Sequence, residues 1–132
     1  MREVTCAMAN SATALFAKFP DKLASFYEAV LSAELTQQEG VLQVLNDGTE
    51  LLILSIPAEI SDEINISTPP TVREDVAFKP IFEVTNLNLA TVAAESAGGT
   101  VTPREFRFNG FDHVDIVDIE GNVVQLRARS LS

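Results

Sequence analysis

The stretch VAFKPIFEVTNLNLATVAAESAGG, residues 76–99, decides how this chain is read. Its first ten residues are rich in β-branched and aromatic types and predict a strand over 76–85. Pro80 confines that strand to a bulge or a sheet edge, because proline has no N–H to give to a ladder. Asn86 or Asn88 can cap a following helix, whose buried face is expected at Leu89, Val92, Ala93, Ser96 and Ala97. Gly98-Gly99 then stops it, since glycine takes the left-handed conformation that ends a helix without strain.

Downstream of that stretch the chain predicts three more strands, over 100–108, 112–118 and 123–129. Asn109-Gly110 supplies the positive φ that a tight hairpin needs. Residues 112–118, DHVDIVD, alternate strictly, with Val114 and Ile116 on one face. Glu120-Gly121-Asn122 turns the chain into the last strand. The element order is β-α-β-β-β.

Upstream the same order recurs. A strand over 13–19 leads into Pro20 and Asp21, which suit the first turn of a helix. Leu23, Phe26, Tyr27, Val30 and Leu31 then fall at i, i+3, i+4, i+7 and i+8, one apolar face. Short strands follow over 34–38, 41–46 and 50–56, with Asn46-Asp47-Gly48 as the turn between the last two. Residues 57–75 hold three prolines and many small polar residues, and read as a linker. The expected organisation is therefore an N-terminal extension (1–11), a first βαβββ module (12–56), the linker (57–75) and a second βαβββ module (76–132). Neither half covers both faces of its own sheet. The predicted fold is α+β, with the two modules forming a curved mixed sheet around a concave cleft.

Composition narrows the function. Hydrophobic residues make up 46% of the 132, enough for a folded core rather than disorder. Acidic residues outnumber basic ones 19 to 9, so the net charge of −10 repels phosphate backbones and anionic lipid. No nucleic-acid or membrane partner is expected, and the strongly apolar run over 51–57 is far too short to span a bilayer. Polar residues interrupt the N-terminal stretch, so no secretory leader is expected there. The single cysteine, Cys6, allows no intramolecular disulfide and no multi-cysteine zinc site, which fits a cytoplasmic setting.

Three segments carry a family resemblance. LASFYEAVL (23–31), IFEVTNLNLATVAAESAGG (81–99) and DIEGNVVQL (118–126) resemble the first helix, the opening of the second module and the closing turn and strand of the vicinal oxygen chelate superfamily. Ile119 stands where that turn usually has proline. The resemblance spans about residues 12–129 and implies the fold shared by glyoxalase I, extradiol dioxygenases, fosfomycin-resistance enzymes and bleomycin-binding proteins. The enzymes of that superfamily usually hold a divalent metal, and the positions of three ligands fall here on Ala12, Lys79 and Gln125. Alanine has no donor atom, and a lysine ammonium has no free lone pair. Gln125 alone is a poor anchor for a catalytic metal. No metal and no other cofactor is expected.

The resemblance thus implies a metal-independent small-molecule binding protein of the bleomycin-resistance kind, sequestering an antibiotic or metabolite in a cleft. Two alternatives stay open: a metal-dependent lyase, isomerase or dioxygenase with an unusual set such as Glu50, Glu83, His113 and Gln125, and a non-catalytic dimeric interaction module. No Ser-His-Asp or Cys-His nucleophile pattern is visible, and no catalytic residue is assigned.

Strand alternation nominates the ligand-binding residues. If Phe82 and Val84 pack under a helix, Lys79 and Glu83 face the cleft; if Val114 and Ile116 are buried, His113 and Asp115 do. Gln125 and Arg127 share a face of the last strand, and Phe16 takes the corresponding face of the first. Phe108, with Phe106 and Phe111, offers an aromatic wall. His113 reads either as a general base or pH-sensitive contact poised by Asp115, or as a solvated histidine. Lys79 and Glu83 either bind a polar ligand or pair with each other. The acidic balance suits a cationic ligand and the phenylalanines an aromatic one. A homodimer is expected, because two-module chains of the family commonly pair.

Overall fold

The computed structural model describes residues 11–38, 40–46, 48–62, 64, 66, 72 and 77–130. Cys6, the N-terminal extension apart from Ser11, and most of the linker lie outside these residues.

The first module runs β1 (Ser11–Ala17), α1 (Pro20–Leu31), β2 (Glu34–Gln38), β3 (Val41–Asn46) and β4 (Thr49–Ser55). A single helical turn, α2 (Ala58–Ser61), follows. The second module runs β5 (Ile81–Glu83), α3 (Leu87–Ser96), β6 (Thr100–Phe108), β7 (Phe111–Val117) and β8 (Val123–Arg129). Each module builds one four-stranded sheet, ordered β1-β4-β3-β2 and β5-β8-β7-β6. In each, the opening strand lies parallel to the closing one and every other pairing is antiparallel. The repeat of element order read from the sequence is therefore a repeat of topology.

The apolar stripe of α1 is buried as its spacing predicts: Leu23, Phe26, Tyr27, Val30 and Leu31 all lie in the core. They meet Val44, Leu51 and Ile53 of the first sheet and Phe82, Val114, Ile116 and Leu126 of the second. Burial of each large side chain stabilises the fold by about 1.5–3 kcal/mol. The helix ends at Ser32, a left-handed residue whose N–H bonds to the carbonyl of Glu28.

Two expectations for the second module fail. The strand predicted over 76–85 is regular only from Ile81 to Glu83, because Pro80 cannot donate to the ladder. Its carbonyl still accepts from Gln125 N at 2.9 Å, so the chain stays beside β8. The face of α3 is also displaced. Ala90 and Ala94 are buried, whereas Leu89 is 69% and Val92 59% exposed. Side-chain size misled the reading: the helix packs closely through its alanines, and its end is drawn in by Gly99. A Cβ at Gly99 would lie 2.6 Å from the Val117 carbonyl and 2.7 Å from the Phe26 ring, so only glycine admits that approach. Asn86 is the cap, accepting from Leu89 N at 3.0 Å.

Two turns tie each module to the other. Glu120, in the β7–β8 turn, accepts the N–H groups of Lys18 and Phe19 at 2.9 and 2.7 Å, just before α1 begins. Asp118, fully buried in the same turn, accepts from the Tyr27 hydroxyl at 2.6 Å and from Asn122 and Glu120 N–H groups. Burial raises the Asp118 carboxyl above its ordinary range, against the pull of those bonds. Burial first, then the Asp118 charge, pushes the Tyr27 hydroxyl well above its usual value. In the opposite direction, Asn46 at the β3–β4 turn donates to the Glu83 carbonyl at 3.0 Å.

Candidate functional site

Each sheet lays one face on the helices and leaves the other open. On the second sheet, Val114, Ile116, Val124, Leu126 and Phe82 take the inner face. Alternation then sends Glu83, His113, Asp115, Gln125 and Arg127 to the outer one. Register aligns them into rows across strands. One row runs Phe106, His113, Arg127, Glu83, and the next runs Asp115, Gln125, Ile81.

Lys79 joins the second row from the segment before β5. Its ammonium contacts Asp115 Oδ2 at 2.6 Å, while Gln125 Nε2 donates to Asp115 Oδ1 at 2.9 Å. Glu83 pairs instead with Arg127, at 3.4 Å. The sequence offered two pairings that the structure replaces. Lys79 does not pair with Glu83, because the β5–β8 register sets Glu83 beside Arg127. Asp115 does not poise His113: its carboxylate bonds to Lys79 and Gln125, and no hydrogen bond joins it to the imidazole.

His113 is buried rather than solvated. It is 3% exposed, and its Nδ1 has no hydrogen-bond partner. Phe106 covers it, with ring centroids 4.7 Å apart and planes within 2°. The rings of Phe108 and Phe111 each lie 6.4 Å away. The guanidinium carbons of Arg127 and Arg129 sit 4.3 and 5.2 Å from the Phe111 centroid, a cation–π arrangement. Sequence reasoning passed over Arg129, although the alternation Val123, Gln125, Arg127 continues to it.

Phe16 is not brought to this cluster. It lies 58% exposed on the first sheet, opposite Leu54 in the β1–β4 register. Among the described residues, cavities lie between the modules. One of about 760 Å³ is lined by Glu34, Leu45 and Asn46 from the first module and by Glu83, Val84, Thr85 and Arg129 from the second. A smaller, mainly apolar one of about 220 Å³ lies along the seam, between Ala14, Leu15 and Tyr27 on one side and Pro80, Phe82 and Val123 on the other.

The residues present do not fit the divalent metal that the resemblance implies. Ala12 offers no ligand atom. Lys79 brings a positive charge, already neutralised by Asp115, and Gln125 is bonded to the same carboxylate. Glu50 takes the amide of Gln43 on the first sheet, and Glu83 faces Arg127. Among the described residues no group of three or more His, Cys, Asp and Glu side chains could hold an ion. No helix there is long and apolar enough to cross a membrane.

The sequence matches no family profile and no curated protein. The fold has many solved counterparts. A glyoxalase/bleomycin resistance protein/dioxygenase family enzyme from Burkholderia phytofirmans PsJN superposes with a TM-score of 0.67 at 14% identity, over 92% of this chain and 99% of that one. A glyoxalase/bleomycin resistance protein from Albidiferax ferrireducens T118 gives 0.67 at 14%, over 91% and 98%. The fosfomycin resistance protein FosX of Listeria monocytogenes gives 0.64 at 17%, over 91% and 90%. The chain therefore has the fold of the glyoxalase/bleomycin-resistance proteins, as the resemblance to the vicinal oxygen chelate superfamily implies.

Proposed function

We propose that this chain is a metal-independent small-molecule binding protein, which sequesters an antibiotic or metabolite in a cleft on the open face of its sheets. One observation carries the reading: the closed cluster of Lys79, Asp115 and Gln125. At two positions where the superfamily's enzymes usually place metal ligands, this chain has an ammonium and an amide, both bound to one carboxylate. Such a cluster can orient a polar ligand by hydrogen bonds, but its carboxylate is already neutralised by the Lys79 ammonium, which repels a second cation. The resistance proteins among the chains of like fold support a small molecule as the partner. The exposed phenylalanines of the outer faces support a homodimer, and the single cysteine supports a cytoplasmic setting.

The test is elemental analysis of untagged protein before and after loading with nickel, zinc, manganese and iron, with a melting curve for each. No stoichiometric metal and an unchanged melting temperature are expected. Near-stoichiometric metal with a raised melting temperature overturns the reading. Light scattering checks the dimer, and a monomeric mass removes it.

A further inference from the structure

The charge of the second sheet's outer face differs from that of the whole chain. Against a net charge of −10, three cations (Lys79, Arg127, Arg129) stand there with two carboxylates (Glu83, Asp115) among the described side chains. Lys79 and Asp115 are closed on each other. Arg127 reaches Glu83 only at 3.4 Å, long for a charged hydrogen bond. Arg129 makes no ion pair among the described residues and rests on Phe111. One positive charge is left over, beside an aromatic cluster and on the wall of the 760 Å³ cavity.

The second observation is His113. A buried polar atom without a partner is costly to the fold. Here that atom, Nδ1, lies beneath Phe106, which is 49% exposed and belongs to an edge strand. The register of that strand slips between Val101 and Glu105, just before Phe106. If Phe106 swings aside, an aromatic face and an unused polar nitrogen are exposed together.

Resting on the reading of this cleft as a small-molecule site, we propose that its ligand is a planar anion, an aromatic or conjugated carboxylate. Its ring stacks in the cluster of Phe106, His113 and Phe111, and its carboxylate takes Arg129 and Arg127. A polar substituent on the ring can supply the partner that His113 lacks. The chain's negative field slows the approach of an anion, but contacts within the site set how long it stays.

The test compares three probes of one shape by calorimetry at fixed ionic strength: 2-naphthoate, 2-naphthylmethylammonium and 2-naphthalenemethanol. Naphthoate is expected to bind at least about tenfold tighter than the other two, the gain from one charge-assisted contact. Arg129→Gln should cut that preference at least about fivefold, read as the ratio of naphthoate to alcohol affinity within the same variant. Arg107→Gln removes the same charge from the opposite face of β6, where Arg107 bonds to Asp112 at 2.9 Å, and should keep the preference. The proposal fails if the ammonium or the alcohol binds as tightly as naphthoate. It also fails if Arg107→Gln cuts the preference as Arg129→Gln does, since bulk charge would then explain it. Binding by none of the three up to millimolar concentration removes the small-molecule reading itself.

Discussion

The two modules share a backbone and differ in what they place on it. Helix α1 begins six residues after Ala14, and α3 begins six residues after Ile81, so these positions correspond. Ala14 lies beside Leu52, whereas Ile81 lies beside Gln125. Phe16 lies beside Leu54, whereas Glu83 lies beside Arg127. One sheet face sets apolar side chains beside a polar row of Thr36, Gln43 and Glu50; its counterpart carries cations paired with carboxylates. The inward faces of both are apolar and packed on helices. Duplication thus keeps what the core demands and leaves the open faces to diverge.

The clamps between modules differ in the same way. The second module grips the first with two carboxylates, Glu120 on a pair of backbone N–H groups and Asp118 on Tyr27. The first grips the second with the single amide of Asn46. The largest expected effect of a substitution is therefore at Asp118. Asp118→Ala leaves Tyr27 and two backbone N–H groups without an acceptor and should cost about 3 kcal/mol, roughly 10 °C in melting temperature. Tyr27→Phe removes one donor and should cost about 1–2 kcal/mol. Asn46→Ala removes a partly buried neutral bond and should cost about 1 kcal/mol or less. Urea denaturation of the three variants checks the order, and an Asn46→Ala effect as large as that of Asp118→Ala would erase the asymmetry.

Acid and alkali probe the same clamp. The folded Asp118 carboxyl is raised above its ordinary value of 3.8, so its favourable contribution is full below that value and lost as pH rises through the folded one. The stability difference between the native chain and Asp118→Asn should therefore favour the native chain more at pH 4 than at pH 7, by urea titration at each pH. Tyr27 is raised above 10.0, so its contribution holds below pH 10 and is lost as pH climbs further. Tyr27→Phe should flatten that alkaline loss, read by circular dichroism.

The smallest effect is expected at Lys79. Lys79→Ala breaks an ion pair exposed to solvent and should change stability by about 1 kcal/mol or less. A large loss would mean that the outer face of the second module is part of its core, and the contrast between the modules would fall.

What the sequence made legible follows from locality. Helix α1 was readable because five large side chains recur at helical spacing. Helix α3 was not, because Ala90 and Ala94 carry no strong hydrophobic signal and Leu89 and Val92 do, yet the latter two face outward. The faces of β7 and β8 were readable from alternation alone. Their partners were not: that Asp115 meets Gln125 rather than His113 depends on inter-strand register, which no single strand encodes. The buried grip of Glu120 on Lys18 and Phe19 links residues a hundred positions apart and left no local mark.

The seam cavity gives the molecule a mechanical weak line. Its 220 Å³ between Ala14, Tyr27, Phe82 and Val123 opens to solvent beside the exposed Phe78 and thins the packing between the halves. Hydrostatic pressure favours states of smaller volume, and volume is recovered by driving water deeper into such a pocket. Under compression the two halves are expected to hydrate along this line while each sheet stays intact. In high-pressure NMR, signals from Tyr27 and Phe82 should then shift before those of Val44 and Ile116.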